Sequence, residues 1–190
     1  YVGYWWSKTG VSAVFTGSVG AISYTASGTQ AAGADTTDGV SGFGDSPYAD
    51  RFDFSGMTSN WRVGGRFNYV NLNEGGNDTI VGSGAANYVD GGSGADNIQT
   101  GLGNDTVLFD GTDTVDAGDG QDTLLIASLA NLNLTTLAGT QLNGFEEIDL
   151  TGNGVQNIRL NAPAVVAFSN STDTLKVHGD AGDLLTLVGN

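Results

Sequence analysis

The sequence predicts an all-β fold: a short parallel β-roll, or solenoid, combined with an N-terminal β-sheet region and a C-terminal β-ladder extension. Three observations lead there. Between Asn73 and Leu125 the chain repeats itself about every nine residues. On both sides of that stretch, apolar and polar residues alternate at period two, the pattern of strands with one covered face. The 31 glycines leave few segments able to hold a helix. A β-rich chain of 190 residues is of ordinary size for one domain. Residues 1–190 are therefore read as one unit with three sub-regions: an aromatic-rich β region (1–72), the repeats (73–125) and a β-ladder extension (126–190).

In the first sub-region, VSAVFTG and AISYTA read as strands bounded by Gly, Ser and Thr. Most of the aromatics, every Trp included, lie before Val70. Trp5, Trp6 and Trp61 taken singly are core residues by default. The turn-rich passage that follows carries Asp45, Asp50 and Asp53 around Phe52 and Phe54. Its segment ADRFDFSG reads as a decayed copy of the later repeat, with Asp50 at the sixth position and Phe52 at the eighth.

The repeats run NEGGNDTIV, GSGAANYVD, GGSGADNIQ, TGLGNDTVL, a shortened FDGTDTVD, and AGDGQDTLL. Glycine adopts positive φ at no steric cost, so each glycine-rich half turns tightly and aims carbonyls inward. The aspartate at the sixth position adds a charged oxygen, and Ca2+ takes about 6–8 oxygen ligands at roughly 2.3–2.6 Å. Loop carbonyls plus carboxylates therefore predict several bound Ca2+ ions. The apolar residue two positions on (Ile80, Val89, Ile98, Val107, Val115, Leu124) points the other way and builds one thin core. With two nonapeptides per turn, alternate sixth positions stack in two rows. Asp78, Asp96 and Asp113 form one; Asn87, Asp105 and Asp122 form the other. Asp119, in the loop before Asp122, is a further candidate. The neutral Asn87 predicts a weaker site or one filled by another oxygen. The eight-residue fifth repeat is expected to shift register by one and to end or distort the loop stack around Phe109 to Asp113, giving a short roll.

After the repeats, FEEIDLTG, QNIRLN, TDTLKVHG and DLLTLVG read as further rungs of a parallel ladder. Leu175, Val177, Leu185 and Leu187 are expected to extend the core. HGDAGDLLTL recreates a glycine–aspartate loop, which adds Asp180 and Asp183 to the candidate Ca2+ ligands.

A formal charge of −15 opposes compaction. No Lys or Arg occurs from Phe67 to Ile158, so bound divalent cations are the natural counter-charge. The same acidity argues against a nucleic-acid partner, whose phosphates need Lys and Arg. Without cysteine there is neither a disulfide framework nor a thiolate site. No apolar run approaches the ~20 residues that cross a bilayer, and the opening YVGYWWSK lacks signal-peptide order. The chain is expected to be a monomeric module cut from a longer multidomain protein, working outside the cell, where weak Ca2+ sites fill. Catalysis is not expected. His178 is the only histidine, which excludes an H-E-x-x-H zinc site. No G-x-S-x-G elbow exists, and the pair Glu146 and Glu147 falls on alternate strand faces.

The repeats match the glycine-rich nonapeptide of RTX proteins. The array plus FEEIDLTGNG…NIRLN…TLKVHGDAGD resembles the extender-end region of bacterial RTX adhesins, surface proteins exported by type I secretion. More narrowly, GFGDSPYADRFDFSGMTSNW…RFNYVNLNEGGNDTIVGS resembles the peptide-binding domain of those adhesins. The resemblance implies a secreted, cell-surface module that holds several Ca2+ ions and captures exposed C-terminal residues of proteins on host or algal cells in founding a biofilm. It carries Ca2+ binding to Asp78, Asp96, Asp105, Asp113 and Asp122, and further to Asp45, Asp50, Asp180 and Asp183. Ligand contacts are expected at Tyr69, Asn71 and Asn73, with Arg51 or Arg66 pairing a terminal carboxylate. A Ca2+-dependent lectin that takes glycans, and a structural spacer without ligand, are the competing readings.

Overall fold

The computed structural model describes the backbone of residues 11–17, 22–28, 49–57, 62–63, 66–67, 69–71, 75–126, 129, 131–152, 154–169 and 171–189, with side chains at 49–56 and within the segments from 75 onward. Asp45, Asn73, Trp5, Trp6 and Trp61 lie outside the described residues. Arg66, Tyr69 and Asn71 are described by their backbone alone.

The chain opens with β1 (Val11–Gly17) and β2 (Ile22–Gly28), paired antiparallel with Phe15 opposite Tyr24. These are the two strands expected from VSAVFTG and AISYTA. β3 (Arg51–Met57) lies parallel to β2. The short β4 (Arg62–Val63) and β5 (Arg66–Phe67) pair antiparallel, and β6 (Tyr69–Asn71) leads into the repeats.

Each repeat then contributes one strand, alternating between two sheets. β7 (Thr79–Val81), β9 (Asn97–Gln99) and β11 (Thr114–Asp116) stack parallel on β3. β8 (Tyr88–Asp90), β10 (Thr106–Phe109) and β12 (Thr123–Ile126) stack parallel on β6. Parallel neighbours joined by tight glycine loops, two strands per coil, make the expected β-roll.

The apolar eighth positions fall into two continuous lines because the register never slips. Phe52, Ile80, Ile98 and Val115 are consecutive partners in one sheet, and Val89, Val107 and Leu124 in the other. All seven are fully buried or 1 % exposed, each contributing about 1.5–3 kcal/mol on leaving water. Phe52 opposite Ile80 bears out the reading of ADRFDFSG as a decayed repeat.

The short fifth repeat corrects the sequence reading. Thr114 still pairs with Asn97 and Thr123 with Thr106, so the strands keep register and the stack continues. The loop at Asp110–Asp113 absorbs the missing residue. Burial enforces this: a one-residue slip would turn Val115 outward.

Past Ile126 each coil lengthens and gains a third face. β13 (Asn131–Asn133), β16 (Asn157–Leu160) and β18 (Leu184–Leu187) form a separate parallel sheet. β14 (Leu142–Asn143) continues the β11 side, and β15 (Glu147–Asp149) and β17 (Lys176–His178) continue the β12 side. The expected rungs are therefore present, dealt onto different faces.

Two helices depart from the expectation of strands alone. α1 (Leu134–Leu137) is capped by Asn133, and α2 (Ala162–Phe168) by Asn161, whose side chain accepts from the Ala164 amide, with proline in the first turn. Phe168 on α2 stacks on Phe145, centroids 5.3 Å apart, and both are fully buried. Leu175 and Val177 join the core as expected. Leu185 and Leu187 do not: they are 46 % and 72 % exposed on β18, the last rung, which no further described coil covers.

Candidate metal sites

Every strand of the roll is preceded by its sixth-position residue, and those residues form two hydrogen-bonded columns. In the first, the Asp50 amide donates to Asp78 Oδ1 (2.7 Å), the Asp78 amide to Asp96 Oδ1 (2.7 Å) and the Asp96 amide to Asp113 Oδ1 (3.0 Å). In the second, the Asn87 amide donates to Asp105 Oδ1 (2.7 Å), the Asp105 amide to Asp122 Oδ1 (2.7 Å) and the Asp122 amide to Glu146 Oε2 (3.0 Å). These are the two predicted rows, with Asp50 added to the head of one and Glu146 to the foot of the other.

One oxygen of each carboxylate thus fixes the preceding coil, and the second faces the loops. In Asp78, Asp105 and Asp122 that second oxygen, Oδ2, is buried and has no hydrogen-bond partner. A buried charged oxygen without a donor is costly unless a cation answers it. Burial is the largest cause in each pKa: Asp78 and Asp105 are pushed up to about 6, Asp113 and Asp122 to about 7. Neighbouring acids add to the rise, Asp96 and Asp50 acting on Asp78, and Asp105 and Glu146 on Asp122.

At Gly94 and Gly120 the loops leave no room for a side chain. A Cβ on Gly94 would stand 1.6 Å from the Gly76 carbonyl oxygen, and one on Gly120 would stand 1.6 Å from that of Gly103. Successive loops therefore nest carbonyl against glycine. Among the described residues no group of three or more acidic or imidazole side chains closes on one point, so a cation between loops needs backbone carbonyls beside the carboxylates. That all-oxygen donor set suits Ca2+.

Residues 73–107 and 109–124 match the family model of the RTX calcium-binding nonapeptide repeat, in four copies. This segment is an RTX repeat array. RTX repeats bind several Ca2+ ions, and the desolvated carboxylates are the local chemistry that fits them. No curated protein and no solved structure matches the chain. RTX repeats occur in secreted proteins, and among the described residues no helix is long and apolar enough to cross a membrane.

Other nominated residues stand apart from the two RTX columns. Asp119 is exposed; its backbone joins the stack through the Gly101 and Gly103 loop, while its charge helps raise Asp122. Asp183 accepts from the Gln156 amide at Oδ1 (2.8 Å) and the Asp180 amide at Oδ2 (2.6 Å), and Asp180 Oδ2 accepts from the Gly152 amide (2.6 Å). This pair closes a third-face corner with its own amides. Arg51 is held by Asp53 at 2.8 Å on the surface. His178 pairs Glu147 across the ladder at 3.2 Å.

Sequence reading missed Glu146 and Gln156 as sixth-position residues. Glu146 is 4 % exposed, and its Oε1 accepts from the Ser169 and Ser171 hydroxyls, so the second column ends on a carboxylate satisfied by protein donors. Gln156 is 2 % exposed and donates to the Ile126 carbonyl. The signal for it was present: TGNGVQNIR is a nonapeptide with glutamine in sixth place.

Proposed function

We propose that this chain is the Ca2+-dependent ligand-binding module of a secreted bacterial surface adhesin, capturing C-terminal peptide segments of proteins on host or partner cells. It binds rather than catalyses. Asp78, Asp96, Asp105 and Asp122, with the carbonyls of their loops, are the proposed Ca2+ ligands. When bound, the ion supplies positive charge to carboxylates that have no cationic side chain near them in sequence.

The observation that carries the reading is the seating of the first coil. The Asp50 amide rests on Asp78 Oδ1, and Phe52 stacks on Ile80. Asp50 and Phe52, within the stretch resembling the adhesins' peptide-binding region, are thereby built onto the same column of carboxylates that calls for Ca2+. Filling the column would hold them in place, making recognition depend on calcium. Of the two nominated arginines, Arg51 is already held by Asp53. Arg66, the other, is the proposed partner of a terminal carboxylate, with Tyr69, Asn71 and Asn73 following it in sequence.

A peptide array probed with the whole chain tests this. Binding is expected to free C-termini in Ca2+, and to vanish with C-terminal amidation or with EGTA. Indifference to amidation would overturn terminal-carboxylate capture, and competition by monosaccharides would point to a lectin instead.

A further inference from the structure

The six repeats are not equivalent once their loops are followed atom by atom, and the differences fall on the two that depart from the nonapeptide. In the second repeat Asn87 replaces aspartate. Its Oδ1 accepts from the Ser83 amide (2.8 Å) and its Nδ2 donates to Ser83 Oγ (3.0 Å). The Ser83 hydroxyl in turn reaches the Ala85 carbonyl (3.4 Å). Asn87 and Ser83 are both buried. The loop thus spends its side-chain oxygen and one of its carbonyls on its own donors, and it brings no negative charge.

In the fifth repeat the loop is one residue shorter, so it offers one backbone carbonyl fewer. The Thr112 amide donates to Asp110 Oδ1 (2.9 Å), and the Thr112 hydroxyl, 2.8 Å from that oxygen, reaches the Gly94 carbonyl of the coil above. The equivalent carbonyls of Gly76 and Gly103 instead face the glycines of the next coil, Gly94 and Gly120. Hydroxyls meet loop carbonyls in the regular repeats too, as Thr100 does on Ala117 at 2.7 Å; what sets the irregular pair apart is that the second repeat lacks a carboxylate and the fifth lacks one loop carbonyl.

Ca2+ needs about 6–8 oxygens, and a loop without its carboxylate, or short of one carbonyl, offers fewer. We propose that the second and fifth repeats are calcium-free rungs, closed by Ser83 and Thr112, and that the ions are held at Asp78, Asp96, Asp105 and Asp122. This rests on the calcium-binding reading above. It places one such rung at an end of each column, Asn87 at the head of the second and Asp113 at the foot of the first, where the coil is joined by protein hydrogen bonds alone.

Ca2+ stoichiometry by native mass spectrometry on the whole chain tests it. Asp105→Asn is expected to lower the count by one relative to the unaltered chain, and Asp113→Asn to leave it unchanged, because Asn keeps an oxygen for the Asp96 amide. The double variant Ser83→Gly, Asn87→Asp restores the second-position glycine and the sixth-position carboxylate and is expected to add one ion. Loss of an ion in Asp113→Asn would overturn the proposal. So would an unchanged count in a folded double variant; if that variant does not fold, the comparison of Asp113→Asn with Asp105→Asn decides. An unaltered chain that takes up no Ca2+ would sink the calcium reading along with it.

Discussion

Replacing Asp105 by Asn separates the two jobs of a sixth-position carboxylate. The amide oxygen can still accept from the Asn87 amide, the 2.7 Å bond that ties one coil to the next. The buried Oδ2, which has no hydrogen-bond partner, becomes an NH2 group and loses its charge. In Ca2+ the variant forfeits one site. With a Kd of about 10⁻⁴–10⁻³ M, as in extracellular modules, ~10 mM Ca2+ stands at roughly 10–100 times Kd, and binding stabilises by about 1.4–2.7 kcal/mol. For a chain of this size 1 kcal/mol moves Tm by about 2–4 °C, so the expected loss is about 3–11 °C. In EGTA the sign reverses. Burial pushes Asp105 up to about 6, against hydrogen bonds from the Asn87 amide and Thr100, so at pH 7.5 the unaltered chain carries a buried charge with no cation beside it, which Asn removes. Calorimetry in both buffers reads the two numbers. A change in Tm that is the same in Ca2+ and in EGTA would show that Asp105 acts independently of calcium, and would refute the reasoning.

Three further outcomes are expected. Gly120→Ala places a Cβ 1.6 Å from the Gly103 carbonyl oxygen and should cost at least about 1–3 kcal/mol in urea unfolding; Gly84→Ala, which meets nothing within 4 Å, should stay within about 0.5 kcal/mol. Phe168→Ala removes a fully buried ring stacked on Phe145 and should cost about 3–5 kcal/mol, measured with Ca2+ present. Without calcium, stability should fall as pH rises from about 4 to 7. Asp78, Asp105, Asp113 and Asp122 all titrate above the ordinary carboxylate value, at about 6 to 7, when folded, so the folded chain holds more protons across that window. Thermal melts in EGTA at stepped pH read this; a Tm that rises with pH would contradict it.

The roll itself was legible in the sequence because one residue type does one job at each position. Glycines mark the nested loops, the sixth position the columns, and the eighth the core, so even the decayed copy at Asp50 and Phe52 could be placed. The rest was hidden where chemistry substitutes for consensus. Glu146 reaches the Asp122 amide with a longer side chain, and Gln156 fills a sixth position without charge, so neither matches an aspartate pattern. The short fifth repeat looked like a break because residue count was taken for register; buried Val115 holds the strand while the Asp110–Asp113 loop contracts. The third face was invisible to period-two alternation, which says which side of a strand is covered and not which sheet it joins. α2 announces itself only through Asn161 and Pro163, a cap and first-turn pair in a chain whose glycines argue for strands. Leu185 and Leu187 alternate like core residues, yet in the described structure they belong to a rung that nothing covers.

The central claim is that calcium supplies much of the folding free energy, since carboxylates buried on folding require a cation that no side chain in the array supplies. Far-UV circular dichroism and thermal melting of the whole chain, followed through EGTA addition and Ca2+ restoration, test it most directly. The account predicts that chelation removes much of the β signal and lowers Tm, that both return with Ca2+, and that Mg2+ does not replace it. An unchanged spectrum and Tm in excess EGTA would contradict it.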